Sequence, residues 1–462
     1  MYVRSVHPVY HLTQGDKGMS DEKVMNRWLV VVGAVLIQFC LGAIYAWSVF
    51  TPKITKAVAE GGEYGFTATQ AAWVFSAGLA SFAVVMVIVG PWAKKNPRQA
   101  AALGGIVLGV GYILGGFLGK SFIMQLVCIG LIGGAGIGIA YVVPIAVGLK
   151  WFPDKKGMIA GLGVAGFGFG ATLWVKLAGS WFGGLLNTTS LFGLPGVQSV
   201  FVIYGIVFLV VVVLGSFVMI DPPEGYKPEG WEPPAPAAGA ASGALDMDRG
   251  QMLKTPQFWM LFTMFTGSAL AGLMVIYCIK LFGIDALQAS GAADSAKAAG
   301  AIAGTAMAWY AILNGLGRIV WGTVSDKIGR KIALFLMCLI QGIAMLAFLK
   351  MGGSQAGLIA GACIIGFNFG GNFALFPTAT ADFFGTKNLG PNYGCVFMAY
   401  GFAGIAGPQV AGFFKDAAKT SGAGVAAWTT PFVVAGIACL VAAAIALMLK
   451  PPQVAIADEK SE

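Results

Sequence analysis

Twelve apolar runs of about 20 residues each recur along this chain of 462 residues, and they leave few folds open to it. They lie near 28–50, 68–92, 99–119, 122–149, 158–182, 198–220, 256–282, 298–324, 332–350, 355–378, 390–414 and 425–449. In lipid no water is available to satisfy backbone N–H and C=O groups, so runs of this length must be helices. The expected fold is an all-α membrane protein with twelve transmembrane helices. Only 11% of residues are charged, against about 25% in soluble domains, and the mean hydropathy is +0.79. The 68 glycines fit the same picture, because small residues let helix backbones approach closely in a bilayer. Gly134 and Gly138, four apart in the fourth run, show that spacing. The glycine pattern at 133–138 follows no strand, which excludes a dinucleotide loop.

Lysine and arginine positions set the orientation. With both termini cytoplasmic, 19 of the 29 Lys and Arg fall on the inner side and 8 on the outer, while Lys176 and Arg318 lie inside runs. The net charge of +9 is therefore mostly topology, and basic residues scattered over short loops exclude nucleic-acid binding. All seven cysteines sit inside runs, where thiols act as small apolar groups, and they show no metal spacing. The two histidines, His7 and His11, are in the N-terminal tail, so no metal or cofactor is expected. The first run is too long for the core of a secretory signal, and Met19 is an alternative start. Residues 221–255 are rich in Pro, Ala and Gly and read as a flexible linker. The domains expected are a cytoplasmic tail (1–27), a six-helix half (28–220), the linker (221–255), a second six-helix half (256–449) and a C-terminal tail (450–462). Weak likeness between the fourth and tenth runs, and between the loops after the second and eighth, suggests two halves related by an axis along the membrane normal.

One ionisable group stands out. Arg318 lies inside the eighth run, and a charged group within a span usually marks a substrate or ion path. It precedes Asp326 by eight residues, about 12 Å along a helix. Helical side chains lean toward the N-terminus, so the guanidinium should reach toward mid-membrane; a downward snorkel is the plainer alternative. Asn314 lies one turn earlier on the same face. Tyr141, Phe369 and Tyr400 fall at a similar depth, with Asn372 one turn after Asn368 near mid-depth. Tyr45 belongs either to a cavity wall or to an interfacial belt. Lys176, about 29 Å along its helix, either snorkels to the outer interface or is a second cation facing the cavity. A cation ringed by aromatics and amides, with no carboxylate near it in sequence, suits a small organic anion, because arginine grips a carboxylate through two parallel hydrogen bonds.

The segment GTVSDKIGRK (322–331), twelve runs and a central linker resemble the major facilitator superfamily. NRWLVVVGAVL, WFPDKKGMIAGLGVAGFGFG, MLKTPQFW, NGLGRIVWGTVSDKIGR and ALFPTATADFFGTKNLGPNYG resemble, more closely, the oxalate:formate antiporter family and its monocarboxylate-porter relatives. The resemblance implies two six-helix halves, with Arg318 as the carboxylate-binding arginine and Tyr45, Tyr141 and Phe369 lining the cavity. It also implies a loop-fixing or gating role for Asp326, Arg330, Lys331 and Asp382. Two departures matter. The family's oxalate exchanger carries a lysine where this chain has Tyr400, which favours a monocarboxylate over a dicarboxylate. Animal monocarboxylate carriers have an aspartate where this chain has Asn314, so the proton carrier is not evident.

The function implied is secondary transport of a small monocarboxylate of the lactate or pyruvate type, coupled to a proton, by alternating access around Arg318. A monomer in a bacterial inner membrane is the expected form. The alternatives are an oxalate/formate-type anion exchanger, using Lys176 or Lys280 as a second cation, and a carboxylate-sensing receptor. An enzyme is not expected, since the runs hold no histidine, no carboxylate pair and no nucleophile beside a base.

Overall fold

The computed structural model describes residues 25–152, 154, 156–223, 225–228, 230, 247–385, 388–450 and 452. The N-terminal tail with His7, His11 and Met19, most of the linker and all but one residue of the C-terminal tail beyond Lys450 lie outside the described residues.

Among the described residues the architecture is helical throughout. In chain order the long helices are α1 (Arg27–Thr55), α2 (Ala68–Lys95), α3 (Pro97–Leu118), α4 (Phe122–Gly148), α5 (Lys156–Gly179) and α6 (Gly196–Ser216). The second set is α7 (Pro256–Ala289), α8 (Ala296–Ile328), α9 (Arg330–Met351), α10 (Gln355–Phe384), α11 (Leu389–Ser421) and α12 (Thr429–Met448). Eleven apolar helices are long enough to cross a membrane, and a shorter apolar stretch, Val164–Gly179, lies within α5. Against the expected twelve, eleven helices have the length and hydropathy of a span, and the fifth expected run appears as this shorter apolar stretch.

Local chemistry sets the ends. Thr67 and Gln70 form a reciprocal capping box at the start of α2, and Ser295 and Ser354 accept from backbone N–H groups to open α8 and α10. Gly329 separates α8 from α9 at φ +84°, a left-handed conformation that a residue with a Cβ resists. Two helices are irregular inside. In α1, Gly42–Ala46 tighten into a 3₁₀ stretch, and in α4, Leu126–Gly133 widen into a π-helix. Such breaks often accompany functional positions. At the first, a Cβ on Gly42 would lie 2.0 Å from the Phe167 carbonyl oxygen, so glycine is what lets α1 touch α5 here.

Within the first half α3 packs along α6 and α2 along α4; within the second, α9 packs along α12 and α8 along α10. The two largest seams between the halves are α2 against α11 and α5 against α8. Exchanging the halves converts one seam into the other.

The two ends of the bundle are held differently. At the end of α8, Arg330 pairs with Asp326 (2.7 Å) and with Asp382 of α10 (3.0 Å), and it also donates to the Ser325 hydroxyl. Lys331 beside them is exposed. The linker's last described residues join this end, where Met247 donates to the Phe384 carbonyl and accepts from Asn388 and Asn392. At the opposite end, both carboxylate oxygens of Asp416 on α11 accept from the first backbone N–H groups of α2, those of Ala68 and Thr69, each at 2.8 Å. Tyr277 of α7 donates to the Ala68 carbonyl beside them.

Because charge-assisted hydrogen bonds contribute about 1.5–3 kcal/mol each, Asp416→Ala should shift the population toward opening at this end by about tenfold or more, since 1.4 kcal/mol is a factor of ten. Spin labels at Glu63 and Ser421 would register this as a new long-distance population. An unchanged distance distribution would mean that the clamp does not hold this end shut.

Candidate functional site

The site is built from α8 outward. Arg318 is 3% exposed and Asn314 fully buried. Their helix packs closely on α10, where a Cβ at Gly370 would lie 2.1 Å from the Asn314 carbonyl oxygen. This contact fixes the depth and rotation of the pair. Asn314 Oδ1 accepts from Arg318 Nε (3.2 Å) and Nη2 (3.1 Å), and the Val164 carbonyl of α5 accepts from Nη1 (3.1 Å). A guanidinium has five N–H groups, so two remain. The hydroxyls of Tyr45 and Tyr141 both come close enough to interact with it.

The apolar walls are aromatic. The guanidinium carbon sits 4.1 Å from the Phe373 ring centre and 5.9 Å from that of Phe167, within cation–π range. Tyr45 and Tyr400 share a hydrogen bond at 3.0 Å, joining α1 to α11 across the two halves. Tyr400 stacks on Phe397, and Tyr141 meets Phe82 and Phe167 edge-on. Phe369 is one ring removed from the charge, edge-on to Phe373 and beside Tyr45 and Tyr310.

Two amides carry unused capacity. Asn314 Nδ2 is buried without a partner, and so is Asn372 Oδ1, whose Nδ2 donates to the Phe369 carbonyl (3.0 Å). Buried polar atoms are nearly always satisfied, and each exception calls for a reason. A ligand carboxylate would supply one for Asn314 Nδ2. Arg318 takes part in none of the five ion pairs among the described residues. Asn314 therefore orients the guanidinium as a carboxylate would, yet leaves its charge uncompensated.

The structure gathers Arg318, Asn314, Tyr45, Tyr141 and Tyr400 around one point, with Phe369 and Asn372 just behind. Phe373 and Phe167, which touch the guanidinium, were not anticipated. Phe373 had a signal, standing one helical turn beyond Phe369; Phe167 had only its place in a glycine-rich face. Lys176 and Lys280 lie elsewhere. Lys176 donates to Thr305 Oγ1 (2.9 Å), and Thr305 precedes Asn314 by nine residues, about 13 Å along α8. Lys280 lies beside Gly179 and Gly300, at the same end. Neither lysine can grip the second carboxylate of an oxalate-sized dianion held at Arg318. Asp326, Arg330 and Asp382 form the cluster at the other end of α8, without Lys331.

A pre-oriented cation with spare donors, buried among aromatic rings between two helical halves, can bind a small anion and release it when the halves separate. Several known proteins are similar to this chain. The model of the Major Facilitator Superfamily matches residues 27–307 and 290–462. The oxalate:formate antiporter of Oxalobacter formigenes is 27% identical, over 94% of each chain. The apicoplast pyruvate carrier 1 of Toxoplasma gondii is 24% identical, over 80% of this chain and 81% of the carrier. An uncharacterized MFS-type transporter of Escherichia coli is 28% identical, over 82% and 86%. A bacterial homolog of the human lysosomal transporter Spinster, solved in an inward-facing, unoccupied conformation, superposes with a TM-score of 0.62 at 18% identity, covering 91% of this chain and 96% of that one. The chain belongs to the major facilitator superfamily.

Proposed function

We propose that this protein is a secondary active transporter of small monocarboxylates, lactate or pyruvate in type, that works by alternating access around Arg318. One observation carries the reading: a buried guanidinium held in place by the neutral Asn314, with no carboxylate among the described residues paired to it. A desolvated, unpaired charge is costly, so the empty carrier resists closing around it. A bound carboxylate supplies the missing charge and lets the halves rock. Tyr400, hydrogen-bonded to Tyr45 beside the guanidinium, is a neutral group, which suits a substrate with one carboxylate rather than two. The Arg330 end is the cytoplasmic side in this reading, as the lysine and arginine bias requires, and the membrane is a bacterial inner membrane.

Proton symport is the coupling mode we put first. Obligatory exchange of anion for anion is the second reading, favoured by the absence, among the described residues, of any carboxylate paired with Arg318. Uptake of labelled lactate into proteoliposomes separates the two. Accumulation driven by an inward proton gradient alone establishes symport; uptake only into vesicles preloaded with unlabelled monocarboxylate establishes exchange. Uptake under neither condition, with pyruvate, formate and acetate also failing, would end the monocarboxylate reading.

A further inference from the structure

Resting on the carboxylate reading of Arg318, we infer that the protein holds a second small-anion site at the Asp416 end, built by Lys176 and Lys280 where α5, α7 and α8 meet. From sequence alone, Lys176 could snorkel toward the outer interface. The structure turns it inward across the seam instead, with its ammonium on Thr305 of α8. A Cβ on Gly179, one turn further along α5, would sit 3.9 Å from the Lys280 ammonium, and one on Gly300 of α8 would sit 3.7 Å from its Cε. Two cations from opposite halves thus converge on one short stretch of the α5–α8 seam. It is the same seam that carries Arg318 and its bond to Val164.

The surroundings favour an anion. Lys53 on α1 is near enough to act repulsively on Lys280, and Lys176 reaches the same stretch of α8 from α5. None of the three takes part in an ion pair among the described residues. The acid nearest in sequence on α7, Asp285, is already held by Lys415 and by the Trp428 indole N–H. Thr305 Oγ1 spends its own proton on the Ala301 carbonyl, so its contact with Lys176 is an ordinary dipole contact that a carboxylate can displace. Clustered cations without counter-charges raise the local anion concentration and its rate of arrival. With about 13 Å between Thr305 and Asn314, this site and the Arg318 site hold separate anions rather than two ends of one.

Binding of labelled pyruvate to purified, detergent-solubilised protein tests this, with labelled oxalate in parallel. Arg318→Ala should retain weak saturable binding, which is lost when Lys176→Gln and Lys280→Gln are added. Lys176→Arg with Lys280→Arg should keep it, showing that charge rather than folding is at stake. In proteoliposomes with Arg318 intact, the two glutamine substitutions should raise KM from the Asp416 side about tenfold at low salt, with the difference shrinking as ionic strength rises. No saturable binding in Arg318→Ala, or binding and KM indifferent to the lysines, would overturn the second site. Full-affinity binding in Arg318→Ala that disappears with the lysines would instead overturn the Arg318 reading and leave this one standing.

Discussion

Arg318→Ala is expected to lower carboxylate uptake by about thirtyfold or more, because truncating one partner of a buried, hydrogen-bonded charge pair costs about 2–5 kcal/mol and each 1.4 kcal/mol is tenfold. Folding should survive. The substitution strands Asn314 Oδ1 and the Val164 carbonyl, but it also removes a buried cation that no carboxylate among the described residues pairs with. Removing such a charge offsets much of what its hydrogen bonds contributed. Arg318→Lys should recover only part of the activity, since an ammonium cannot reproduce the guanidinium's planar fork. The measurement is uptake in proteoliposomes, alongside size-exclusion profiles and thermal unfolding of each variant. Substantial uptake by a well-folded Arg318→Ala protein would remove the centre from the proposed mechanism.

Asn314→Asp is the second large effect, and it changes almost no atoms. Asn314 Oδ1 already lies 3.1–3.2 Å from two guanidinium nitrogens, so a carboxylate there would form a bidentate ion pair without rearrangement. The substrate would then compete with an internal anion, and KM near neutral pH should rise at least about tenfold, the equivalent of 1.4 kcal/mol. Uptake should also become acid-activated. Protonating the introduced carboxyl returns the site to the neutral-acceptor state of the native amide, so activity present at low pH is lost as pH rises through that group's titration. A flat pH profile, with KM unchanged, would show that the charge on this side chain is not what governs occupancy of the site.

Much of the bundle was legible because bilayers impose long apolar runs whatever lies inside them. The span most weakly marked was α5, where glycine replaces bulkier apolar residues to admit α1. Asn314 and Arg318 were legible as a pair because i and i+4 share a helical face. The contacts of Arg318 with Val164, of Tyr45 with Tyr400 and of Asp416 with Ala68 were not. Each joins residues more than a hundred positions apart and leaves no periodicity. The break in α1 was likewise hidden, since its residues are as apolar as those around them. Lys176 was placed at the correct end by counting residues, but its direction depended on a neighbour in the other half.

The Val164 carbonyl gives the binding step a competitor made of the protein itself. Arg318 Nη1 donates to that oxygen across the α5–α8 seam, so the residue that receives the anion is also a stitch between the two halves. An anion that recruits Nη1 undoes the stitch, and part of its interaction energy goes into loosening the seam rather than into tighter binding. Weak apparent affinity and readiness to move are then one property seen from two sides. By thermodynamic reciprocity, anything that pulls α5 away from α8 should strengthen the hold on substrate by the same factor.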